Sequence, residues 1–165
     1  MRYKAGMLRI RLAEPEDAAL VFDFVCALAR YEREPDAVKV DAATLARHLA
    51  ETPPPFECLL AELDRVPAGF ALFFHSYSTW RGQRGLWLED LFVLERFRRR
   101  GVGRALLRRA AAIAVERQCG RFEWSVLDWN QTAIAFYEQL GAEVIERWRI
   151  CRVSDSALQR LASEE

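Results

Sequence analysis

The sequence predicts a mixed α/β fold, an α+β sheet covered by helices. Three observations carry that expectation. Short apolar runs alternate with period two, longer segments place apolar residues every three or four positions, and the two kinds interleave along the chain. Their order is one strand, two helices, three strands, then helix, strand, helix and a closing strand.

Leu8, Ile10 and Leu12 alternate with Arg9 and Arg11, as in a half-buried strand. Pro15 then opens a helix, at a position where its missing N–H costs nothing. The buried stripe of that helix is Leu20, Val21, Phe24, Val25 and Leu28. A shorter helix follows with Asp41 as N-cap and Leu45 and Leu49 facing inward. Phe56 to Leu63 and Gly69 to Ser76 read as a hairpin whose loop is Asp64 to Ala68. Gly82 and Gly85 mark the next loop, ahead of a central strand from Leu86 to Val93. Gly101 to about Arg117 is a helix with Val102, Leu106, Ala110 and Ile113 on one face, and Phe122 to Leu127 is a strand. Thr132 to Leu140 forms another helix, which Gly141 stops. Glu143 to Val153 is expected as a final strand or pair, and Ser156 to Leu161 as a terminal helical fragment.

Composition narrows the function classes. The chain has 165 residues, 52% of them apolar, enough for one domain with a real core. Its 24 basic and 24 acidic residues cancel, whereas a general nucleic-acid binder carries a basic excess. Cys26, Cys58, Cys119 and Cys151 are widely spaced, with no histidine at metal-ligand spacing. They read as reduced residues of a cytoplasmic protein rather than as a zinc site. Met1 to Gly6 is too polar for a secretory signal, and no apolar run reaches the roughly 18 residues of a membrane span. The expectation is a soluble protein with no metal, no nucleic-acid partner and no membrane partner.

The most informative segment runs from Trp87 to Arg104. The strand Leu88-Glu89-Asp90-Leu91-Phe92-Val93 leads through a short loop into Arg98-Arg99-Arg100-Gly101-Val102-Gly103-Arg104, where glycines open a helix. Such a turn aims unpaired backbone N–H groups and the positive helix end at one point. It suits a phosphate or pyrophosphate, and nearby arginines can add bidentate contacts. Neither GxxxxGK[ST] nor GxGxxG is present, so this is not a Walker loop or a dinucleotide fingerprint.

Arg98-x-x-Gly101-x-Gly103 resembles the [QR]-x-x-G-x-[GA] motif of the GCN5-related N-acetyltransferase (GNAT) superfamily. Asn130-x-x-Ala133-x-x-Phe136-Tyr137-x-x-x-Gly141-Ala142 resembles that superfamily's second motif. The resemblance runs from Leu8 to about Val153. It implies a single GNAT domain over residues 7–153, with 1–6 and 154–165 as terminal extensions. The implied fold is that of the acyl-CoA N-acyltransferases, a central, mostly antiparallel sheet flanked by helices. Within the superfamily the chain is most similar to diamine (spermidine/spermine or thialysine) N-acetyltransferases. The residues concerned are Ala29-Arg30-Tyr31-Glu32, Trp80-x-Gly82, Leu88-Glu89-Asp90, Trp129-Asn130 and Trp148-Arg149. Arg99, Arg100 and Asp128 depart from that branch's usual residues, which leaves the substrate range open.

The resemblance implies acetyl-CoA as co-substrate, a small amine as acceptor and a cytoplasmic homodimer. An aliphatic amine has a pKa of about 10.4, so it arrives protonated and must lose a proton before it can attack. Glu89 is implied as the substrate-facing carboxylate, either base or amine-binding group, with Asp90 beside it. Strand neighbours point to opposite faces, so only one of the two faces the cleft unless a bulge intervenes. Tyr137 is implied as the acid that protonates the departing thiolate. Asn130 is implied to bond the pantetheine arm, to cap its helix, or both, with Ala133 and Phe136 on the same cofactor-flanking helix. Main-chain groups of Leu91, Phe92 and Val93 are implied to pair with pantetheine amides like an added strand. Gly101, Gly103 and the backbone of Arg98, Arg99, Arg100, Val102 and Arg104 are implied to hold the pyrophosphate. Tyr31, Glu32, Trp80, Glu146 and Ser125 are the remaining implied substrate contacts.

Overall fold

A computed structural model of the chain describes residues 6–163. The chain divides into two compact units, Met1–Ser125 and Val126–Glu165. The expected extension at 1–6 lies outside the described residues except for Gly6, and that at 154–165 is described only as far as Ser163.

The first unit holds a five-stranded sheet in the order β1 (Leu8–Leu12), β2 (Glu57–Leu63), β3 (Val66–Ser78), β4 (Gln83–Val93) and β5 (Phe122–Trp124). All neighbours are antiparallel except β4 and β5, which run parallel. One face of the sheet presents Cys58, Leu60, Phe70, Leu72 and Phe92 to α1 (Ala18–Tyr31) and α2 (Ala42–Leu49). There Phe24 stacks on Phe70 with ring centroids 5.5 Å apart, within the range favoured by offset aromatic pairs. The intervening residues Leu59, Ala61, Ala71, Phe73 and Leu88 are buried on the other face, where α3 (Val102–Glu116) packs with Val102, Leu106, Ala110 and Ile113 inward. Arg117 ties the end of α3 to the start of β2 by a fork of two hydrogen bonds to Glu57, one of 2.8 Å.

Most expected elements form within a residue or two, and the differences have physical causes. Pro15 opens a 3-10 turn, Pro15–Asp17, before α1 begins. Asp41 caps α2 by accepting from the Thr44 N–H at 2.8 Å. Leu12, expected inward, is exposed because β1 is an edge strand near its end. The hairpin loop is only Asp64-Arg65, both at positive φ, as in a tight turn that matches strand twist. Val66 and Pro67 therefore belong to β3, and Ala68 is the extra residue of a bulge. Gly85, expected in a loop, lies inside β4 opposite Ser76, where a Cβ would strike the serine hydroxyl. The strand expected to reach Leu127 ends at Trp124, the last residue paired with β4.

The second unit holds α4 (Gln131–Glu138) and α5 (Asp155–Ser163). Gly141, at φ +89°, ends the α4 segment in the left-handed conformation that favours glycine. The strand expected over Glu143–Val153 is not present. A strand needs a ladder partner, and the described residues of this unit contain helices alone. Val144, Ile145, Trp148, Ile150 and Val153, which produced the strand pattern, are all exposed.

Candidate active site

Pairing between β4 and β5 covers only Leu86–Leu88 against Phe122–Trp124. Beyond Leu88 the described ladder of β4 continues on the β3 side alone, through Val93 opposite Gly69. The β4 edge from Glu89 to Val93 thus offers backbone amides on its other side. The chain next makes a 3-10 turn, Glu95–Phe97, pinned by the buried ring of Phe97 and by the Leu94 N–H donating to Ala68 at 2.9 Å.

The turn into α3 gathers donors that have no acceptor in the helix. Arg99 at φ +59° and Gly101 at φ +83° are both left-handed. Nothing lies within 4 Å of where a Gly101 Cβ would stand, so glycine is required there by its backbone angle and the space ahead is open. No side chain caps α3 and no acidic residue stands in its first turn. The Ala105 N–H reaches the Gly101 carbonyl at 3.0 Å, which leaves the N–H groups of Val102, Gly103 and Arg104 without helical acceptors. Arg99, Arg100 and Arg104 are exposed around this point. These donors fit a pyrophosphate, and the open β4 edge fits an amide-bearing chain leading away from it.

A bulge decides where the carboxylates go. Leu72 is paired with Asp90 and Phe73 with Leu88, so Glu89 is the extra residue of β4. Asp90 therefore shares the face of Leu72, Phe92 and the end of α1. Glu89, exposed, accepts from the Trp87 indole N–H at 2.9 Å, and Trp87 lies on that same face opposite Phe74. Both carboxylates thus lean to one side. Burial, the neighbouring Glu89 charge and then Glu32 push the Asp90 carboxyl up to about 7. Burial also raises the Glu32 carboxyl.

Tyr31 joins this group, its ring 6.2 Å from that of Phe92. Arg98 closes it from the turn that leads into α3. Its Nε donates to the Val93 carbonyl at 3.0 Å, and its guanidinium lies 4.6 Å from the Tyr31 ring centre and 5.6 Å from that of Phe92. The first unit therefore brings together Tyr31, Glu32, Glu89, Asp90 and Arg98. It does not bring Trp80 to them. Trp80 is 93% exposed at the β3–β4 tip, and six strand residues, about 20 Å, separate Gln83 at that end from Glu89. Ser125 is exposed just past β5.

In the second unit Asn130 caps α4, its side-chain oxygen accepting from the Ala133 N–H at 3.2 Å. Ala133, Phe136 and Tyr137 are half-buried on this helix, with the Phe136 and Tyr137 rings 5.5 Å apart. Glu146 is exposed in the segment beyond it. A concavity of about 330 Å3 beside Leu12, Leu49, Phe56 and Cys58 contains none of the expected site residues. Among the described residues no group of three or more His, Cys, Asp or Glu could hold a metal ion, and no helix is long and apolar enough to cross a membrane.

Two features escaped the sequence reading: the Trp87–Glu89 bond and the side-chain commitment of Arg98. Period-two spacing puts Trp87 and Glu89 on one face and was a usable signal for the first. No local signal existed for the second.

The sequence model of the acetyltransferase (GNAT) family matches residues 21–142. The chain belongs to the GNAT acetyltransferase family. This acetyltransferase is 33% identical over 171 residues to a thialysine N-epsilon-acetyltransferase of Bos taurus, covering 96% of this chain and 99% of that one. It is 48% identical over 98 residues to an L-ornithine N5-acetyltransferase of Arabidopsis thaliana, but these cover 59% of this chain and 43% of the plant protein. A spermidine/spermine N(1)-acetyltransferase-like protein of Homo sapiens is 32% identical over 95% of this chain, which spans 24% of that protein. Among solved structures, an integron cassette protein from the mobile metagenome of V. cholerae matches with a TM-score of 0.79 and 26% identity, covering 96% of this chain and all of that one. The GNAT acetyltransferase is thus an acetyl-transferring enzyme with a mixed α/β sheet, and its relatives include enzymes named for amine substrates.

Proposed function

We propose that the enzyme transfers the acetyl group of acetyl-CoA to a primary amine of a small diamine or polyamine-like substrate, by direct attack within a ternary complex. The observation that carries the acceptor class is the bulge at Glu89. It sets Glu89 and Asp90 on one face, with Glu32 close enough to raise the Asp90 pKa. Three carboxylates beside an aromatic ring suit a substrate with more than one cationic amine. Ornithine, thialysine and spermidine, named in the relatives, each carry at least two amines.

Acetyl-CoA would supply an activated thioester. Its pyrophosphate would rest on the N–H groups of Val102, Gly103 and Arg104, with Arg99 and Arg100 adding charge, and its pantetheine arm along Leu91 to Val93. Asp90, with a pKa of about 7, is matched to accept the proton an ammonium must lose near neutral pH. Glu89, oriented by Trp87, and Glu32 hold the remaining positive charge of the substrate. Tyr137 supplies the proton for the leaving thiolate, and Asn130 orders the start of its helix. In this reading residues 7–153 act as one domain, and the protein is a cytoplasmic homodimer.

A panel of amines, scored by release of free CoA thiol, tests the proposal. Diamines and polyamines should exceed monoamines of equal length in kcat/KM by at least about tenfold, the effect of one added ion pair in a partly buried site. Faster turnover of an aminoglycoside, an α-amino acid without a side-chain amine or a protein N-terminus would overturn the acceptor class. Wild-type protein that neither binds nor consumes acetyl-CoA would overturn the cofactor.

A further inference from the structure

We propose that Arg98 is a positioning residue for the amine site, linking the coenzyme-binding turn to Tyr31 and Glu32, rather than a phosphate ligand through its side chain. This rests on the function proposed above. The guanidinium is already engaged: Nε donates to the Val93 carbonyl, and its plane lies over Tyr31 and Phe92 at 4.6 and 5.6 Å. It stands on the face of the sheet that carries α1, whereas the turn it belongs to leads into α3 on the opposite face. The same residue thus has its main chain in the anion turn and its side chain against the last residue of α1.

Two consequences follow from that position. Removing the guanidinium takes one contact from the Tyr31 ring, which keeps its packing on Phe92, and loosens the site next to Glu32, whose charge raises the Asp90 carboxyl. Coenzyme bound to the turn fixes the Arg98 backbone, so its binding strengthens amine binding, and by linkage the amine strengthens coenzyme binding by the same factor. Arg99, Arg100 and Arg104, exposed and in no ion pair among the described residues, remain to meet the phosphates.

The test compares Arg98→Gln, Arg98→Lys, Tyr31→Leu and the double variant Arg98→Gln/Tyr31→Leu, each checked for a cooperative melt. Titration calorimetry with CoA reads the coenzyme Kd with and without a diamine, and steady-state kinetics read the amine KM against kcat. Arg98→Gln should raise the amine KM about three- to thirtyfold, the range expected for one lost cation–π contact, and Arg98→Lys, which keeps a cation but loses the Nε–H bond to Val93, should raise it less, with the CoA Kd changed by less than about twofold in both. The diamine should no longer tighten CoA. The double variant should be no worse than the poorer single one. If Arg98→Gln weakens CoA tenfold and leaves the amine KM alone, the side chain is a phosphate ligand and the proposal falls. Equal losses on both sides, or additive effects in the double variant, also overturn it. Failure of the wild type to bind CoA would instead overturn the function itself, and the two results are read in separate titrations.

Discussion

Asp90 is paired with Leu72 across β3 and β4, so its carboxyl emerges on the face that holds Phe70, Phe92 and the core side of α1. One residue on along β3, and two back along β4, the ladder joins Phe73 to Leu88 on the opposite face. A single extra residue, Glu89, makes this switch, and the electrostatics of the proposed acceptor site follow from it.

The pKa of Asp90, raised to about 7, gives a pH dependence of definite sign. Below pH 7 the carboxyl is protonated and can neither attract an ammonium nor take its proton. The kcat/KM for a diamine should therefore fall below a limb at about pH 7, and Asp90→Asn should remove the limb together with most of the activity. A limb that survives in Asp90→Asn would assign it to another group.

The same residue makes a stability prediction. A carboxyl whose folded pKa lies above its unfolded value binds protons more tightly when folded, so stability is lost as pH rises from about 4 through 7. Asp90→Asn carries no charge to bury. Its melting temperature relative to wild type should be higher at pH 8 than at pH 5. The opposite order would show that Asp90 is solvated or paired.

Gly101→Ala should cost about 1 kcal/mol of stability, since φ +83° is unfavourable for any residue with a Cβ. Relaxation of that strain would turn the N–H groups of α3 away from their shared focus. CoA affinity should therefore fall more than stability does, and calorimetry on folded protein would show it. Unchanged affinity would remove the anion role from this turn.

Tyr137→Phe removes a hydroxyl and leaves the ring. Turnover should drop by about a hundredfold, the lower range for one general acid, with little change in either KM. Unaltered turnover would end the assignment of Tyr137 as the acid.

Phe70→Ala tests the core beneath the site. Phe70 is fully buried and stacked on Phe24, and truncation should cost about 3–5 kcal/mol by chemical denaturation.

The elements whose evidence is local were legible in the sequence. The buried face of α3, the Asp41 cap and the end of α4 before Gly141 follow from spacing and end chemistry, and the structure shows each. What depended on a partner was not. The bulge at Glu89 is set by the pairing of β3 with β4, so alternation within β4 could not reveal that both acidic residues share a face. The segment from Val144 to Val153 errs in the other direction. Its composition suits a strand, yet strand formation requires a neighbouring edge, which composition does not supply. Trp80 joined the expected site by motif likeness, and only the length of the β3–β4 hairpin shows how far along the sheet it stands. The motif places Arg98 at the anion turn, while its stacking on Tyr31 is a long-range contact between residues 67 positions apart.

The end of the β4–β5 ladder at Leu88 has one more consequence. Where recognition rests on peptide groups, the side chains alternating above and below them carry no information about the ligand. Leu91 and Phe92 can drift to other apolar residues that keep the packing, without altering which carrier molecule is accepted. Natural variation along this stretch should accordingly track the neighbouring helices, while tolerance to proline, which deletes an N–H, should be nil.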